Sequence, residues 1–458
     1  TAWRDAGADL RAGVCLEILD RISQRGFELA HAVMHTTGQP YVMAFQAGGA
    51  HAQDRGLEAV AYAYAELTRH PARAVWEKPA GKGEPLRLEK TFHVVPRGIA
   101  LVIGCNTFPT WNAYPGLFAS LVTGNPVIVK PSPRAVLPLA ITVSVAREVL
   151  AEAGFDPNLV LLAVDGPGEK LAADLALHPE VRIVDFTGST EFGNWLESHA
   201  RQARVFTEKA GVNLVVIDST DDFAGMCRNL GFSLSLYSGQ MCTTPQNFLV
   251  PSAGIDTDQG HKSVAEVAAG IAKSVSALTG DDGRAVEIIG AVVNDAVLDR
   301  LAEAEKLGTE VLASRPVVHP RFPEAVVRTP AIRLLDRADS EVYGREWFGP
   351  VSFVVPTRGT ADSLALFTDS VRSHGALTAA VYSSDAAVLD AAEKAAMKAG
   401  VALSCNLNGG VFVNQSAAFS DFHGTGANPA ANAALTDVAY VADRFRVVQS
   451  RRHLPAGE

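Results

Sequence analysis

VRIVDFTGSTEFG, residues 181–193, decides the fold. A short apolar run stops at Gly188, Ser189 stands where a helix N-cap belongs, and helical spacing follows. The stretch therefore reads as strand, tight turn, helix. The same order repeats around it. GIALVIGC (98–105), NPVIVKPS (125–132) and LVLLAVDG (159–166) read as strands, with helices at 134–154, 168–178 and 189–202. Alternation of this kind means βαβ units and a parallel sheet, which takes ligands beyond the carboxyl ends of its strands.

Outward from that core, residues 1–75 carry apolar side chains at three- and four-residue spacing and read as helices. LRLEKTFHVV (86–95) alternates like an exposed hairpin arm. DVAYVADRFRVVQSRR (437–452) alternates too and is expected to pair with that arm, within the chain or in another subunit. After NLVVIDST (213–220) a second α/β region is predicted to about residue 430, its strands including FLVP, AIRLL, VSFVVP, LTAAVYS and GVFVN.

The 458 residues suffice for two or three domains. A formal charge of −10 gives no reason to expect a nucleic-acid partner. The cysteines, at 15, 105, 227, 242 and 405, are odd in number and widely spaced. That argues against a disulfide framework or a zinc site and for a reducing compartment, here the cytoplasm. No apolar run reaches the roughly 18 residues of a membrane span. No signal-peptide pattern opens the chain, although Thr1 in place of methionine leaves room for a trimmed leader.

Four places carry candidate chemistry. At Gly188 and Ser189 a glycine lets a phosphate approach the backbone and the helix start offers free N–H groups. The spacing is G-x-x-x-x-G, closed by Gly193, and an ordinary capped turn would look the same. Lys130 closes a strand ahead of two prolines and can reach a ribose or phosphate, with Arg134 able to add charge. A solvated strand-end lysine is the plain alternative. Glu208, in VFTEKAGVN, serves as a base if buried, or as a surface glutamate paired with Lys209. Cys242, in SGQMCTT (238–244), is a nucleophile if nearby N–H groups stabilise its thiolate, or one more inert core cysteine. Trp111, Phe232 and Tyr237 read as core or as a tunnel lining, and no histidine, His423 included, is assigned a metal.

Taken together, NTFPTWN, VIVKPSP, FTGSTEFG, TEKAGVN, SGQMC, EWFGPV and VFVN resemble, in order, the motifs of the aldehyde dehydrogenase superfamily. Within it, GCNTFPTWN and FHGTG resemble the ring-opening aldehyde dehydrogenases of aerobic phenylacetate degradation. The resemblance implies an α/β fold in three parts. They are a Rossmann-type cofactor-binding domain (1–82 and 96–210), a catalytic domain (211–432) and an oligomerisation arm (83–95 and 433–458). By position, Cys242 matches the nucleophile and Glu208 the general base. Lys130, Ser132, Arg134, Gly188, Ser189, Gly193, Glu346 and Phe348 match the cofactor site. It further implies an aldehyde substrate, plausibly a semialdehyde carrying coenzyme A, a free acid product, and a homodimer or homotetramer.

The sequence departs from the family at four points. Thr107 precedes Phe108-Pro109 where the oxyanion asparagine belongs, and Asn106 lies one residue earlier; we assign Asn106, with Thr107 the alternative. Pro133 replaces a glutamate of NAD-preferring members, which tips the expectation from NAD toward NADP. Lys209-Ala210 replace the residues after the general base, and FSDFHGTGANPA (419–430) replaces a segment that frames the substrate entrance. The rivals are a CoA-acylating relative, which commonly lacks the base, a cysteine hydrolase, which needs a histidine partner, and a non-catalytic scaffold.

Overall fold

The computed structural model describes residues 2–166, 168–209, 211–412 and 438–455. Ala210, His423, the FSDFHGTGANPA segment and the end of VFVN (Val413 and Asn414) lie outside the described residues.

The expected parallel sheet is present. Strands β3 (Ile99–Ile103), β4 (Val127–Lys130), β5 (Val160–Leu162), β6 (Val181–Thr187) and β7 (Arg204–Glu208) line up in the order β5-β4-β3-β6-β7, all parallel. Leu101, Val102, Val129, Ile183 and Val184 are buried, because helices cover both faces and leave no solvated side. One cover is the N-terminal helical region predicted from periodicity, including α1 (Gly7–Gln24), α2 (Gly26–Thr37) and α3 (Ala52–Thr68). Between α2 and α3, Ala44–His51 winds as a π-helix, a rare geometry that often adjoins functional sites. Thr110 Oγ1 donates to its Gly48 carbonyl at 2.8 Å, tying it to helix α4 (Pro109–Val122).

A second sheet follows. Strands β8 (Leu214–Ile217), β9 (Asn247–Pro251), β10 (Thr309–Leu312), β11 (Ala331–Leu334), β12 (Val351–Thr357), β13 (Thr378–Tyr382) and β14 (Ala402–Cys405) take the order β10-β11-β12-β9-β8-β13-β14. Only the β10–β11 pair is antiparallel. Its two faces hold separate apolar clusters, around Phe353 and Trp347 on one side and Phe248 and Met226 on the other.

The arm is an antiparallel sheet of β1 (Arg73–Ala80), β2 (Gly83–Pro96) and β15 (Phe445–Leu454), in the order β1-β2-β15. Its first strand starts ahead of the boundary expected at residue 83, and the tail strand pairs with β2 of its own chain. Just before β15, the Arg444 guanidinium is fully buried. It bonds both Asp185 oxygens, at 2.8 and 2.6 Å, and Ser120 Oγ at 2.6 Å, tying the tail to β6 and α4.

None of the five cysteines forms a disulfide. Among the described residues no helix is long and apolar enough to cross a membrane.

Candidate active site

The residues singled out on the first sheet gather at its carboxyl edge. Gly188 ends β6, and Ser189 caps helix Thr190–His199 by accepting from the Phe192 N–H at 3.3 Å. A Cβ on Gly188 would press into the Phe186 ring at 2.6 Å, and one on Gly193 would touch Lys209 at 3.0 Å. Glycine is needed for this close packing as well as for ligand approach. Lys130 ends β4 but does not project into solvent: its Nζ meets Asp165 Oδ1 at 2.7 Å, and both side chains are buried. Ser132 accepts from the Arg134 N–H at 3.4 Å, and Arg134 itself is exposed. Glycine turn, capped helix start and strand-end lysine fit the phosphates and ribose of a dinucleotide.

Glu208 ends β7, beside the glycine turn, where its carbonyl accepts from the Gly188 N–H at 3.0 Å. Its side chain is buried. Lys209 turns the other way, to Glu197 at 2.6 Å and Asn194 at 2.8 Å. The surface pairing weighed for Glu208 and Lys209 is therefore not formed.

Cys242, in the loop ahead of β9, faces Glu208, whose charge bears on its thiol. The thiol's pKa is pushed well above its usual value, first by loss of water, then by the Glu208 charge and hydrogen bond. The loop before it is unusual. Tyr237, Ser238 and Gly239 all take left-handed φ (53°, 53° and 64°). For two side-chain-bearing residues this costs energy, and the surroundings hold it. Tyr237 Oη donates to the Thr37 carbonyl at 2.5 Å, Ser238 Oγ to those of Gly290 and Arg328 at 3.0 Å each, and Gln240 Nε2 to that of Ala291 at 3.1 Å.

Glu346 closes the group. Its Oε1 accepts from the Gly211 N–H at 2.9 Å. Desolvation raises its pKa to about 7; the Gly211 N–H and Arg300 oppose the shift and Glu208 adds to it. A Cβ on Gly211 would lie 2.5 Å from the Cys242 carbonyl oxygen and 3.0 Å from Glu346 Oε1. Phe348 lines a small cavity with Glu346, Gly211 and Met241, and its carbonyl accepts from Arg300 Nε at 2.9 Å.

Asn106 and Thr107 differ sharply. Both polar atoms of the Asn106 amide are buried without a hydrogen-bond partner. The Thr107 carbonyl accepts from Gln39 Nε2 at 2.7 Å. An apolar wall of Met43, Phe108, Tyr237, Cys105, Trp111 and Met241 stands beside them. Tyr237 is fully buried, and Phe232 stacks on Phe412 at 4.1 Å.

Sequence reasoning missed Asp165, Cys105, Arg300 and Asn213. Asp165 had a signal, since a carboxylate at a parallel strand's carboxyl end sits on the ligand edge. The others have no spacing that marks them.

The family model described as "Aldehyde dehydrogenase family" matches residues 1–432. An NAD-dependent aldehyde dehydrogenase structure from Burkholderia multivorans superimposes with a TM-score of 0.96 at 61% identity, covering 99% of this chain and 81% of that one. The 3,4-dehydroadipyl-CoA semialdehyde dehydrogenase of Aromatoleum evansii is 28% identical over 312 residues, 64% of this chain and 57% of that protein. The N-succinylglutamate 5-semialdehyde dehydrogenase of Chromobacterium violaceum is 27% identical over 383 residues, 81% and 71% of the two chains. The chain thus spans under two thirds of the length of the first of these curated relatives.

Proposed function

The chain belongs to the aldehyde dehydrogenase family, and from that premise we propose that it oxidises an aldehyde to a carboxylic acid, with a nicotinamide dinucleotide as the oxidant. The observation that carries the reading is the Cys242 thiol brought up against the buried Glu208 carboxylate at the edge of the first sheet. The Cys242 thiol gives up its proton to solvent, and the thiolate sulfur attacks the aldehyde carbon. The alkoxide is held by the Cys242 N–H and by the Asn106 amide, whose lack of any protein partner leaves it free for that task. When bound, a nicotinamide dinucleotide would supply the hydride acceptor for this adduct. Glu208 then draws a proton from water, which hydrolyses the thioester on Cys242 to the acid. Lys130, Ser132, Gly188, Ser189, Gly193, Glu346 and Phe348 hold the cofactor. In this reading the first sheet, the second sheet and the arm are the cofactor-binding, catalytic and oligomerisation parts.

We favour NAD over NADP, against the expectation from Pro133. Asp165 brings a buried carboxylate against Lys130, so the charge that Pro133 omits is supplied by the neighbouring strand. A 2′-phosphate there meets repulsion and a lysine already paired. The 61%-identical relative, described as NAD-dependent, supports the same choice. Two relatives act, by their names, on semialdehydes, one CoA-linked, which favours a semialdehyde substrate. Aromatic catabolism, on the likeness of GCNTFPTWN, remains its proposed setting. The arm's outer strands suit a homodimer or homotetramer, and five cysteines outside any disulfide suit the cytoplasm.

A panel of aldehydes and semialdehydes with NAD and with NADP tests this. NAD reduction that disappears in Cys242→Ala and stalls after one turnover in Glu208→Gln is expected. Reduction surviving in Cys242→Ala overturns the nucleophile, and equal efficiency with NADP overturns the cofactor choice.

A further inference from the structure

We infer that Asn213 is a positioning residue for the nucleophile, a role that rests on the reading of Cys242 above. Asn213 lies between Gly211 and β8 and is 2% exposed. Its Nδ2 donates to the Cys242 carbonyl at 2.7 Å and the Thr244 carbonyl at 2.9 Å. Its Oδ1 accepts from the N–H groups of Leu377 at 3.0 Å and Thr378 at 3.2 Å. Two donors and two acceptor sites are an amide's full capacity, and here all four are used. The Asn213 carbonyl also accepts from Gln246 at 3.0 Å and Asn247 at 3.1 Å, where β9 begins.

The consequence is geometric. Tyr237, Ser238 and Gln240 fix the loop on the amino side of Cys242. On its carboxyl side the carbonyls of 242 and 244 converge on one amide, whose other end is fastened to the start of β13. β13 itself pairs with β8, so the clamp stands on two adjacent strands of the second sheet. Rotating the peptide that follows Cys242 would break the shorter of these bonds and swing the Cα–Cβ bond that aims the sulfur at Glu208. Gly211 guards the same carbonyl from the other side, where a Cβ would stand 2.5 Å away.

Aspartate separates clamp from fold. Asn213→Asp keeps the shape and the acceptor half, toward Leu377 and Thr378, but loses the donors to the nucleophile's turn. In the purified full chain we expect a folded protein, an unchanged cofactor KM, and kcat lower by about 100-fold, the scale of a 1 Å misplacement of a reacting group. Alkylation of Cys242 by iodoacetamide slows with it. Lowering the pH returns a proton, hence a donor, to position 213 and narrows the gap to the native enzyme. Gly211→Ala, which pushes on the same carbonyl, shows the same joint loss of turnover and thiol reactivity. Native turnover in a folded Asn213→Asp, or a turnover loss with thiol reactivity unchanged, overturns the inference. Failure of both variants to fold overturns it too, by making Asn213 a part of the fold rather than of the aim. Cys242→Ala run beside them keeps the two readings apart: if it stays active the nucleophile assignment itself has failed, and if it is dead while Asn213→Asp is native, only the clamp has.

Discussion

The glycine turn at 188 and the nucleophile turn at 242 are both short loops at sheet edges, yet they are held by opposite means. The first is local: Ser189 caps its own helix, and Gly188 bonds the next strand in the sheet. The second is held from afar, by Thr37, Asn213, Gly290, Ala291 and Arg328, in a backbone shape its own side chains disfavour. A local device tolerates damage elsewhere. A turn assembled from distant parts can be exact about where it puts a sulfur, and breaks if any support is removed.

The largest break is chemical. Cys242→Ala should lower aldehyde-dependent NAD reduction by at least about 10³-fold with the cofactor still bound, as judged by fluorescence titration. Next comes the lysine on the local side. Lys130→Ala leaves Asp165 buried without its cation, and we expect a stability loss of about 3 kcal/mol in urea unfolding together with a raised NAD KM. A weaker NAD KM with full stability would mean that the pair is not the lysine's main tie.

Glu208→Gln sharpens the comparison through pH. The Glu208 charge and hydrogen bond both disfavour the Cys242 thiolate, so removing them lowers the thiol pKa. The alkylation rate rises with pH as thiolate forms, and in the variant that rise should move to lower pH. An unmoved profile would remove Glu208 from the causes and leave desolvation, Cys105 and Glu346. The smallest effect belongs to the self-contained turn: Ser189→Ala removes one cap, worth about 1 kcal/mol of helix stability, and should leave thiol reactivity untouched.

The same contrast governs what could be read from sequence. Gly188, Ser189 and the strand-end Lys130 follow from period and punctuation, because local structure is written in neighbouring residues. Cys242 and Glu208 were visible as candidates, but composition could not say that 34 positions of chain fold back to join them; family likeness supplied that. Asn213 was invisible, since a lone asparagine before LVVI looks like a strand's polar edge and its four partners lie 29 to 165 positions away. Asp165 was legible as a strand-end carboxylate, but its pairing with Lys130 depends on β4 and β5 being neighbours. The tail's partner was identified as the arm, while its membership of the same chain depended on the Arg444 anchor that no pattern announces.

That anchor sets an order of events in folding. Arg444 and Asp185 are 259 positions apart, so the aspartate stays without its guanidinium until residue 444 has emerged. A nascent chain halted after the second sheet would carry an uncompensated charge inside an otherwise completed first one, and contacts of such long reach form late. The first sheet therefore reaches its final form only once the segment around residue 444 has been made.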